Sequence, residues 1–383
     1  MKYRVLGKTG MSVSEIGLGC EHLQGKPGET VERVVHAALD GGVNILDVFM
    51  SEPQVRSHIG AALRGRRDRV LLQGHIGSIW HDGQYERSRD GALCEMFIAD
   101  FLKRLETDYI DIGMIHFVDT LDDLSIVENG PVLEYAMRLK EQGVIRSIGM
   151  SSHDPVTARR AVESGWLDVL MFSINPAYDL LPENTHIDSY FTPDTWHRDG
   201  LSGINPNRAA LYEACAARNV GVTVMKTYGA GFLFNSKLSP FGRTFTPVQL
   251  IHYALSRPAV SSALIGCQTP EEVAAALDYE TASDEARDYA EVLAGTAQFG
   301  ITRQCVYCNH CHPCPAGIDV ALVNKYLDTL RTGTAAQDTV RKQYAALEAH
   351  AGDCLACGAC EERCPFGVDV INRMHEAAEL FGK

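Results

Sequence analysis

Positive charge, long apolar runs and a glycine-rich nucleotide fingerprint are all scarce in this sequence. Its 383 residues hold 35 lysines and arginines against 49 acids, which gives a formal charge of −14. Binding to nucleic acid needs a basic face, so we expect no nucleic-acid partner. The longest apolar runs fall far short of the roughly 20 residues of a membrane span, so we expect no membrane partner. The opening MKYRVLGKTG does not resemble a signal peptide, which favours a cytoplasmic protein.

Cysteine, by contrast, is abundant, and most of the twelve cysteines fall in two runs near the end. Residues 305–315 read CVYCNHCHPCP, and residues 354–365 read CLACGACEERCP. The second run has the spacing C-x2-C-x2-C-x3-C-P of bacterial ferredoxins, which bind [4Fe–4S] clusters. The first run departs from that spacing, because only two residues precede its last cysteine. The doubled motif therefore predicts two [4Fe–4S] clusters.

The cluster ligands are expected to cross between the two runs. In two-cluster ferredoxins the fourth cysteine of each run binds the other cluster. We assign one cluster to Cys305, Cys308, Cys311 and Cys364, and the other to Cys354, Cys357, Cys360 and Cys314. Structural zinc sites usually have paired CxxC units separated by a longer spacer, and disulfides need an oxidising compartment. Because such clusters are oxygen-labile, the cytosol of an anaerobe is the expected setting.

The first 295 or so residues alternate short apolar runs with longer segments of helical periodicity. The strand candidates are Ile16–Gly19, Asn44–Asp47, Val70–Gln73, Ile110–Ile115, Ser147–Met150, Val169–Ile174, Gly221–Met225 and Ser262–Ile265. This alternation predicts a (β/α)8 TIM barrel over residues 1–295, with a hairpin at Lys2 to Val13 closing its bottom. A doubly wound sheet is the alternative, but no G-x-G-x-x-G follows any strand. Residues 296–383 are expected to form an α-helical ferredoxin-like domain.

Acid–base groups recur where the predicted strands end, which is where this fold places its chemistry. Asp47, His75 and His116 lie at the end of a strand candidate or one or two residues after it, and a lone histidine there would more often be structural. Two histidines and an aspartate at the mouth of one barrel instead indicate a functional site.

Five segments occur in a characteristic order: VLGKTGMSVSEIGLGC at 5–20, DYIDIGMIHF at 108–117, RSIGMSSHD at 146–154, VTVMKTYGAG at 222–231 and LIGCQTPEEV at 264–273. With these segments the barrel resembles the aldo-keto reductases, and the whole chain resembles the branch with a C-terminal iron–sulfur domain. This resemblance implies an Asp–Tyr–Lys–His tetrad that protonates a carbonyl. Asp47 and His116 match that tetrad, but Glu52 stands in the tyrosine slot and His75 in the lysine slot.

Four candidate catalytic residues follow from this comparison: Asp47, Glu52, His75 and His116. Asp47 would orient the site and balance its charge, and His116 would hold the substrate oxygen. Glu52 would be the proton donor or acceptor, kept protonated by a desolvated site, with His75 as its partner.

The resemblance also implies a nicotinamide site. It would use Ser151, Ser152 and Asn175 at the carboxamide, with Lys226 at the same mouth and Gly266–Val273 at the adenosine phosphate. No Lys or Arg lies between Cys267 and Asp278. Because the 2′-phosphate of NADPH usually needs such a cation, this favours NADH over NADPH. A flavin is the alternative, since it converts between two-electron and one-electron chemistry.

We interpret the chain as an iron–sulfur oxidoreductase acting on a carbonyl or activated C=C, with a small-molecule substrate and an electron-transfer partner protein. Aromatic residues suggest a ring-bearing substrate: Trp80, Tyr85, Tyr178, Tyr190 and Trp196. The last two lie in a long insertion, Asp179 to Pro206, interpreted as a lid. Two alternatives remain: a metal-dependent lyase or hydrolase using the four candidate residues, and an electron-transfer protein with a non-catalytic barrel.

Overall fold

The structure is a computed structural model, and it describes residues 1–180, 204–294, 303–331 and 337–383. Most of the insertion interpreted as a lid, including Tyr190 and Trp196, lies outside the described residues. Residue 295, the predicted end of the barrel domain, also lies outside them.

Twelve strands are described, and eight of them close into a parallel barrel. They are β1 (Tyr3–Val5), β2 (Ser12–Ser14), β3 (Ile16–Gly19), β4 (Ile45–Val48), β5 (Leu71–Ile76), β6 (Ser78–His81), β7 (Gln84–Arg87), β8 (Ile110–Ile115), β9 (Ile145–Ser152), β10 (Val169–Ser173), β11 (Gly221–Met225) and β12 (Val260–Gly266). The barrel order is β3-β4-β5-β8-β9-β10-β11-β12, and β12 pairs with β3 to close it. The predicted barrel is confirmed, and each predicted strand corresponds to one of these eight.

The interior of the barrel is closed at one end by the N-terminal hairpin. Strands β1 and β2 pair in antiparallel fashion, with Arg4 opposite Val13. Leu6 and Val13 are fully buried and pack with Ile45 and Met114 from the barrel strands. A Cβ at Gly221 would lie 2.7 Å from the backbone of Leu6, so the close approach of the hairpin requires glycine there.

Sixteen α-helices are described, and most of them connect the strands in chain order. They are α1 (Gly28–Asp40), α2 (Pro53–Ala62), α3 (Gly91–Arg104), α4 (Leu121–Glu128), α5 (Pro131–Glu141), α6 (Pro155–Ser164), α7 (Pro176–Asp179), α8 (Pro206–Ala217), α9 (Pro247–Leu255), α10 (Pro270–Leu277), α11 (Asp284–Arg287), α12 (Ala290–Ala294), α13 (Val320–Arg331), α14 (Gln337–Ala345), α15 (Ala359–Arg363) and α16 (Val370–Phe381). In the described part of the chain, no helix is both long and apolar enough to cross a membrane.

The described residues form two compact units. The first contains residues 1–174, 220–227 and 260–281, and therefore all eight barrel strands. The second contains residues 175–219, 228–259 and 282–383, and therefore both cysteine runs.

A buried carboxylate organises part of the second unit. Asp179 is fully buried and accepts hydrogen bonds from the Arg208 guanidinium at 2.7 Å and the Tyr253 hydroxyl at 2.8 Å. The Tyr212 hydroxyl also donates to it. A buried charge is stable only when it is paired and hydrogen-bonded in this way, so these contacts tie together the helices α7, α8 and α9.

Candidate active site

Three of the four predicted catalytic residues meet at the mouth of the barrel. Asp47 is on β4 and is buried, and His75 is on β5, the next strand of the barrel. The His75 Nε2 atom lies 2.9 Å from Asp47 Oδ1. The side-chain amide of Gln73, also on β5, donates to the same oxygen at 2.9 Å. Asp47 Oδ1 therefore lies within hydrogen-bond distance of two side chains of the neighbouring strand.

His75 connects this carboxylate to His116, which follows β8. The two Nδ1 atoms lie 2.8 Å apart, and both imidazoles are buried. The other ring nitrogen of His116, Nε2, is hydrogen-bonded to the hydroxyl of Tyr85. Asp47, His75, His116 and Tyr85 therefore form one continuous chain of hydrogen bonds, which we call the relay.

Tyr85 reaches His116 because a hairpin is inserted after β5. Strands β6 and β7 pair across a turn at Asp82 and Gly83, which both have positive φ. Asp-Gly is a preferred pair for this tight turn, since both central residues need φ above zero. Pairing in register then places Tyr85 opposite Trp80.

Two arginines hold the end of this hairpin next to His116. Arg89 donates to the carbonyl oxygens of His116 and Phe117, each at 2.9 Å, and forms a bidentate pair with Asp123. Arg87 donates to the Phe117 carbonyl and to the same Asp123 carboxylate. A planar guanidinium suits such a bidentate contact, so the hairpin is fixed in orientation as well as position.

Phe49 forms an apolar wall of the relay. Its ring stacks on His116, with centroids 5.5 Å apart and an interplanar angle of 12°. It contacts Tyr85 and His75 edge-on, with centroids 6.0 and 5.9 Å away. The relay is therefore partly shielded from water on this side.

The surroundings keep both ends of the His116–Tyr85 contact uncharged. Burial, then His75 and Arg89, hold the pKa of His116 well below its ordinary value of 6.5. Burial raises the pKa of Tyr85, although Arg87 and Arg89 oppose the shift. At neutral pH the contact therefore joins a neutral imidazole to a protonated phenol.

The relay has a direction in this protonation state. The Asp47 carboxylate accepts from His75 Nε2–H, so His75 Nδ1 is an acceptor and His116 Nδ1–H is its donor. His116 Nε2 then accepts from the Tyr85 hydroxyl. One added proton on His75 Nδ1 reverses the His75–His116 and His116–Tyr85 bonds and frees the Tyr85 hydroxyl to donate elsewhere. Tyr85 as a residue is 37% exposed, so a bound molecule can contact it from outside the relay.

Glu52 does not join the relay. Its carboxylate accepts hydrogen bonds from the backbone N–H groups of Gln54 at 3.2 Å and Val55 at 2.6 Å. Glu52 is the N-cap of α2, and Pro53 is the first residue of that helix. A glutamate at this position is explained by helix capping and by the favourable interaction of a carboxylate with the N-terminal end of the helix dipole. The phenol of Tyr85 stands beside His116 where the sequence comparison had placed a carboxylic acid.

The candidate metal site is not assembled either. Across the described ranges, no three Cys, His, Asp or Glu side chains converge on a point where they could share one metal ion. In particular, the hydrogen bonds of Glu52 direct it to the start of α2.

The residues expected at the nicotinamide carboxamide already make hydrogen bonds within the chain. The Ser151 hydroxyl accepts from Phe117 N–H at 2.8 Å, and the Ser152 hydroxyl donates to Asp119 at 3.1 Å. In the second unit, Asn175 caps α7 by accepting from Tyr178 N–H. The Lys226 amino group lies 3.3 Å from the Glu21 carboxylate.

The expected phosphate site is also occupied by side chains of the chain itself. A Cβ at Gly266 would lie 2.3 Å from His22, so that loop is closely packed. The next helix, α10, is capped by Thr269, and the Glu272 carboxylate accepts from Gln268 N–H at 2.6 Å. Two acids in the first turn would repel a phosphate. A nicotinamide site therefore stays a prediction from the resemblance, and we derive no step through such a cofactor.

The second cysteine run fits a cluster with the crossed ligand. One cavity of the second unit is lined by its first three cysteines together with the last cysteine of the first run: Cys354, Cys357, Cys360 and Cys314. Ile318, Ile371 and Met374 line the same cavity. Four thiols around a partly apolar cavity suit a [4Fe–4S] cluster.

The first cysteine run lies near the last cysteine of the second. Burial raises the pKa of Cys305 to about 12, and the charge of Cys364 adds to that shift. Burial also raises the pKa of Cys308 to about 12, with a further contribution from Cys364. Cys364 is therefore within electrostatic reach of both thiols, as the crossed assignment requires.

Comparison with known proteins agrees with both parts of the chain. The family model "Aldo/keto reductase family" matches residues 15–249, and "4Fe-4S dicluster domain" matches residues 303–369. The first match covers more than half of the chain, and the chain belongs to the aldo/keto reductase family. It also carries a 4Fe-4S dicluster domain.

Two curated relatives come from Bacillus subtilis. The uncharacterized oxidoreductase YqkF is 29% identical over 192 residues, which are 48% of this chain and 59% of YqkF. The aldo-keto reductase YhdN is 32% identical over 191 residues, which are 47% of this chain and 54% of YhdN. The chain thus spans little more than half the length of the curated relatives it matches.

Solved structures share the fold. Aldo-keto reductase AKR11C1 from Bacillus halodurans, in its holo form, has a TM-score of 0.60 at 22% identity, covering 79% of this chain and 99% of its own. The aldo-keto reductase PA4992 from Pseudomonas aeruginosa has a TM-score of 0.54 at 24% identity, covering 73% of this chain and 96% of its own. At this identity the likeness supports the barrel fold alone.

Proposed function

We propose that this protein is an oxidoreductase that reduces a carbonyl, or a double bond conjugated to one, in a ring-bearing organic substrate. The observation that carries the proposal is the relay from Asp47 through His75 and His116 to the hydroxyl of Tyr85, a partly exposed residue. Residues 1–295 would supply the reductase barrel, and residues 296–383 would supply the clusters, in the cytoplasm of an anaerobe.

In the proposed reaction Tyr85 is the proton donor, and the relay carries one added proton on His75 Nδ1 when the substrate reacts. The Tyr85 hydroxyl gives a proton to the substrate oxygen, and His116 Nε2–H replaces that proton. His75 Nδ1–H then protonates His116 Nδ1, which returns the relay to its arrangement before the proton was added. A positioned acid of this kind typically contributes roughly 10²–10⁴-fold to a rate.

The electrons are proposed to come through the two clusters. When bound, [4Fe–4S] clusters carry electrons one at a time. The overall change is one carbonyl plus two electrons and two protons giving one alcohol. The electrons would be supplied by a low-potential one-electron donor protein, and the second proton by water. In this proposal the chain holds its clusters through the eight cysteines of the two runs.

The relay favours this function over a non-catalytic barrel. Asp47, His75 and His116 are 2%, 2% and 5% exposed, and burying such groups costs stability unless all are hydrogen-bonded. A scaffold that only carried clusters would not require a buried polar chain that ends on an accessible phenol.

The proposal is tested by turnover without oxygen. Cinnamaldehyde is a suitable probe because it contains a ring, a carbonyl and a conjugated double bond. Protein with full iron and sulfide is mixed with it and with either reduced methyl viologen or NADH, and the products are separated. We expect cinnamyl alcohol or 3-phenylpropanal with viologen, at a rate well above that of iron-free protein. Product formed only with NADH, or none with either donor, would contradict the proposal.

A further inference from the structure

Arg257 is a fully buried cation in the second unit. It lies two residues beyond the end of α9, and its exposed fraction is 0%. Arginine is almost never fully buried unless its charge is paired. Within the described residues, no carboxylate forms a salt bridge with it, and its Nε and Nη1 atoms have no hydrogen-bond partner. Asp179, whose charge acts on Arg257, is itself bound by Arg208.

The bonds that Arg257 does make lead to the first cysteine run. Its Nη2 donates to the carbonyl oxygen of Val306, and Tyr289 donates to the same oxygen at 2.7 Å. The guanidinium lies over the rings of Tyr253 and Tyr307, 4.3 and 5.2 Å from their centroids. Val306 and Tyr307 are the two residues between Cys305 and Cys308.

Cys305, Cys308 and the Arg257 guanidinium all influence the pKa of Tyr289. Burial raises the pKa of the Tyr289 phenol, Arg257 opposes that shift, and Cys308 and Cys305 add to it. Arg257 and these cysteines therefore share one buried region, in which solvent screens their charges little.

We propose that Arg257 is the counter-cation of the cluster held by Cys305, Cys308, Cys311 and Cys364. A cubane bound by four thiolates is anionic and gains a further negative charge when it accepts an electron. A fixed cation in a buried site stabilises the reduced form more than the oxidised form, because the interaction grows with the cluster charge. Arg257 therefore raises the reduction potential of this cluster and leaves the other cluster unaffected.

This inference rests on the cluster assignment and not on the barrel chemistry. It makes Arg257 a positioning and charge-balancing residue, since it contacts the loop between two ligands and not a ligand itself.

The test is a redox titration followed by electron paramagnetic resonance on the full chain purified without oxygen. Arg257→Gln keeps a donor for the Val306 carbonyl but removes the charge, whereas Arg257→Lys keeps the charge. We expect Arg257→Gln to lower the equilibrium constant for one-electron reduction of one cluster at least tenfold, which lowers its reduction potential by about 59 mV, and to leave the other cluster unchanged. Arg257→Lys should keep that equilibrium constant within about threefold of its value in the parent protein. Arg341→Gln, an exposed arginine of the same unit, is the control and should shift neither cluster.

Unchanged potentials in Arg257→Gln at full iron content would overturn the proposal. If Arg257→Gln loses iron while Arg257→Lys keeps it, the requirement for a cation is upheld. If both variants lose iron, the guanidinium geometry is the requirement, and the charge role is wrong. No substrate enters this measurement, so a failed carbonyl assay leaves it intact. Zinc in place of iron in the parent protein would remove the basis of both the inference about Arg257 and the proposed function.

Discussion

Cys364→Ser is expected to remove the cluster that begins at Cys305, although Cys364 belongs to the other cysteine run. A serine hydroxyl is a far poorer ligand than a thiolate, and the two side chains are nearly equal in size. Iron should fall from about eight to about four atoms per chain. The physical reason is the crossed arrangement, in which Cys364 influences Cys305 and Cys308. Iron and sulfide analysis of protein purified without oxygen gives the count.

The identity of the surviving cluster decides the assignment. Cys364→Ser and Cys305→Ser should leave the same paramagnetic signal, and Cys314→Ser and Cys354→Ser should leave the other. Cys215→Ser is the control, because Cys215 is fully buried outside both runs, and all iron should remain. If Cys364→Ser instead left the same signal as Cys354→Ser, each run would hold its own cluster.

Tyr85→Phe is expected to slow the proposed reduction by roughly 10²–10⁴-fold, the usual contribution of a positioned acid. The substitution removes only the hydroxyl, so the ring contact with Phe49 remains. Tyr109→Phe is the matched control, since the Tyr109 ring packs against Arg67 and Arg146 outside the relay. Rates of cinnamaldehyde reduction with reduced viologen provide the measurement.

Glu52→Gln tests whether the proton donor is Tyr85 or Glu52, the residue that the sequence comparison favoured. Glu52 caps α2, so its replacement should lower the free energy of unfolding by about 1 kcal/mol and change the rate little. A large loss of rate in Glu52→Gln, with Tyr85→Phe near the parent protein, would reverse the assignment of the proton donor.

The sequence was sufficient to predict the barrel and three of the four residues of the relay. Parallel strands of a barrel all end at one mouth, so residues at successive strand ends must meet. That rule brings Asp47, His75 and His116 together without knowledge of any side-chain angle. The predicted ends of β5 and β9 differ by a few residues from the observed ends, but these differences do not change which residues lie at the mouth.

Tyr85 could not be found by counting strand ends, because it lies on an inserted hairpin. A signal for that hairpin is present: Asp82-Gly83 between runs that pair as Ser78–His81 and Gln84–Arg87. Its orientation depends on the bonds from Arg87 and Arg89 to residues 116–117, which are distant in sequence. The cap at Glu52 also had a local signal, since Pro53 follows it and proline favours the first helical position.

A single-turnover experiment tests the central claim that the clusters reduce a substrate in the barrel. Protein is reduced without oxygen until both clusters are reduced, freed of excess reductant and mixed rapidly with cinnamaldehyde, while cluster absorbance and product are followed together. We predict that both clusters are reoxidised and that two cluster electrons disappear for each molecule reduced, much more slowly in Tyr85→Phe. Clusters that stay reduced in the presence of the probe, while NADH alone supports product formation, would contradict the account.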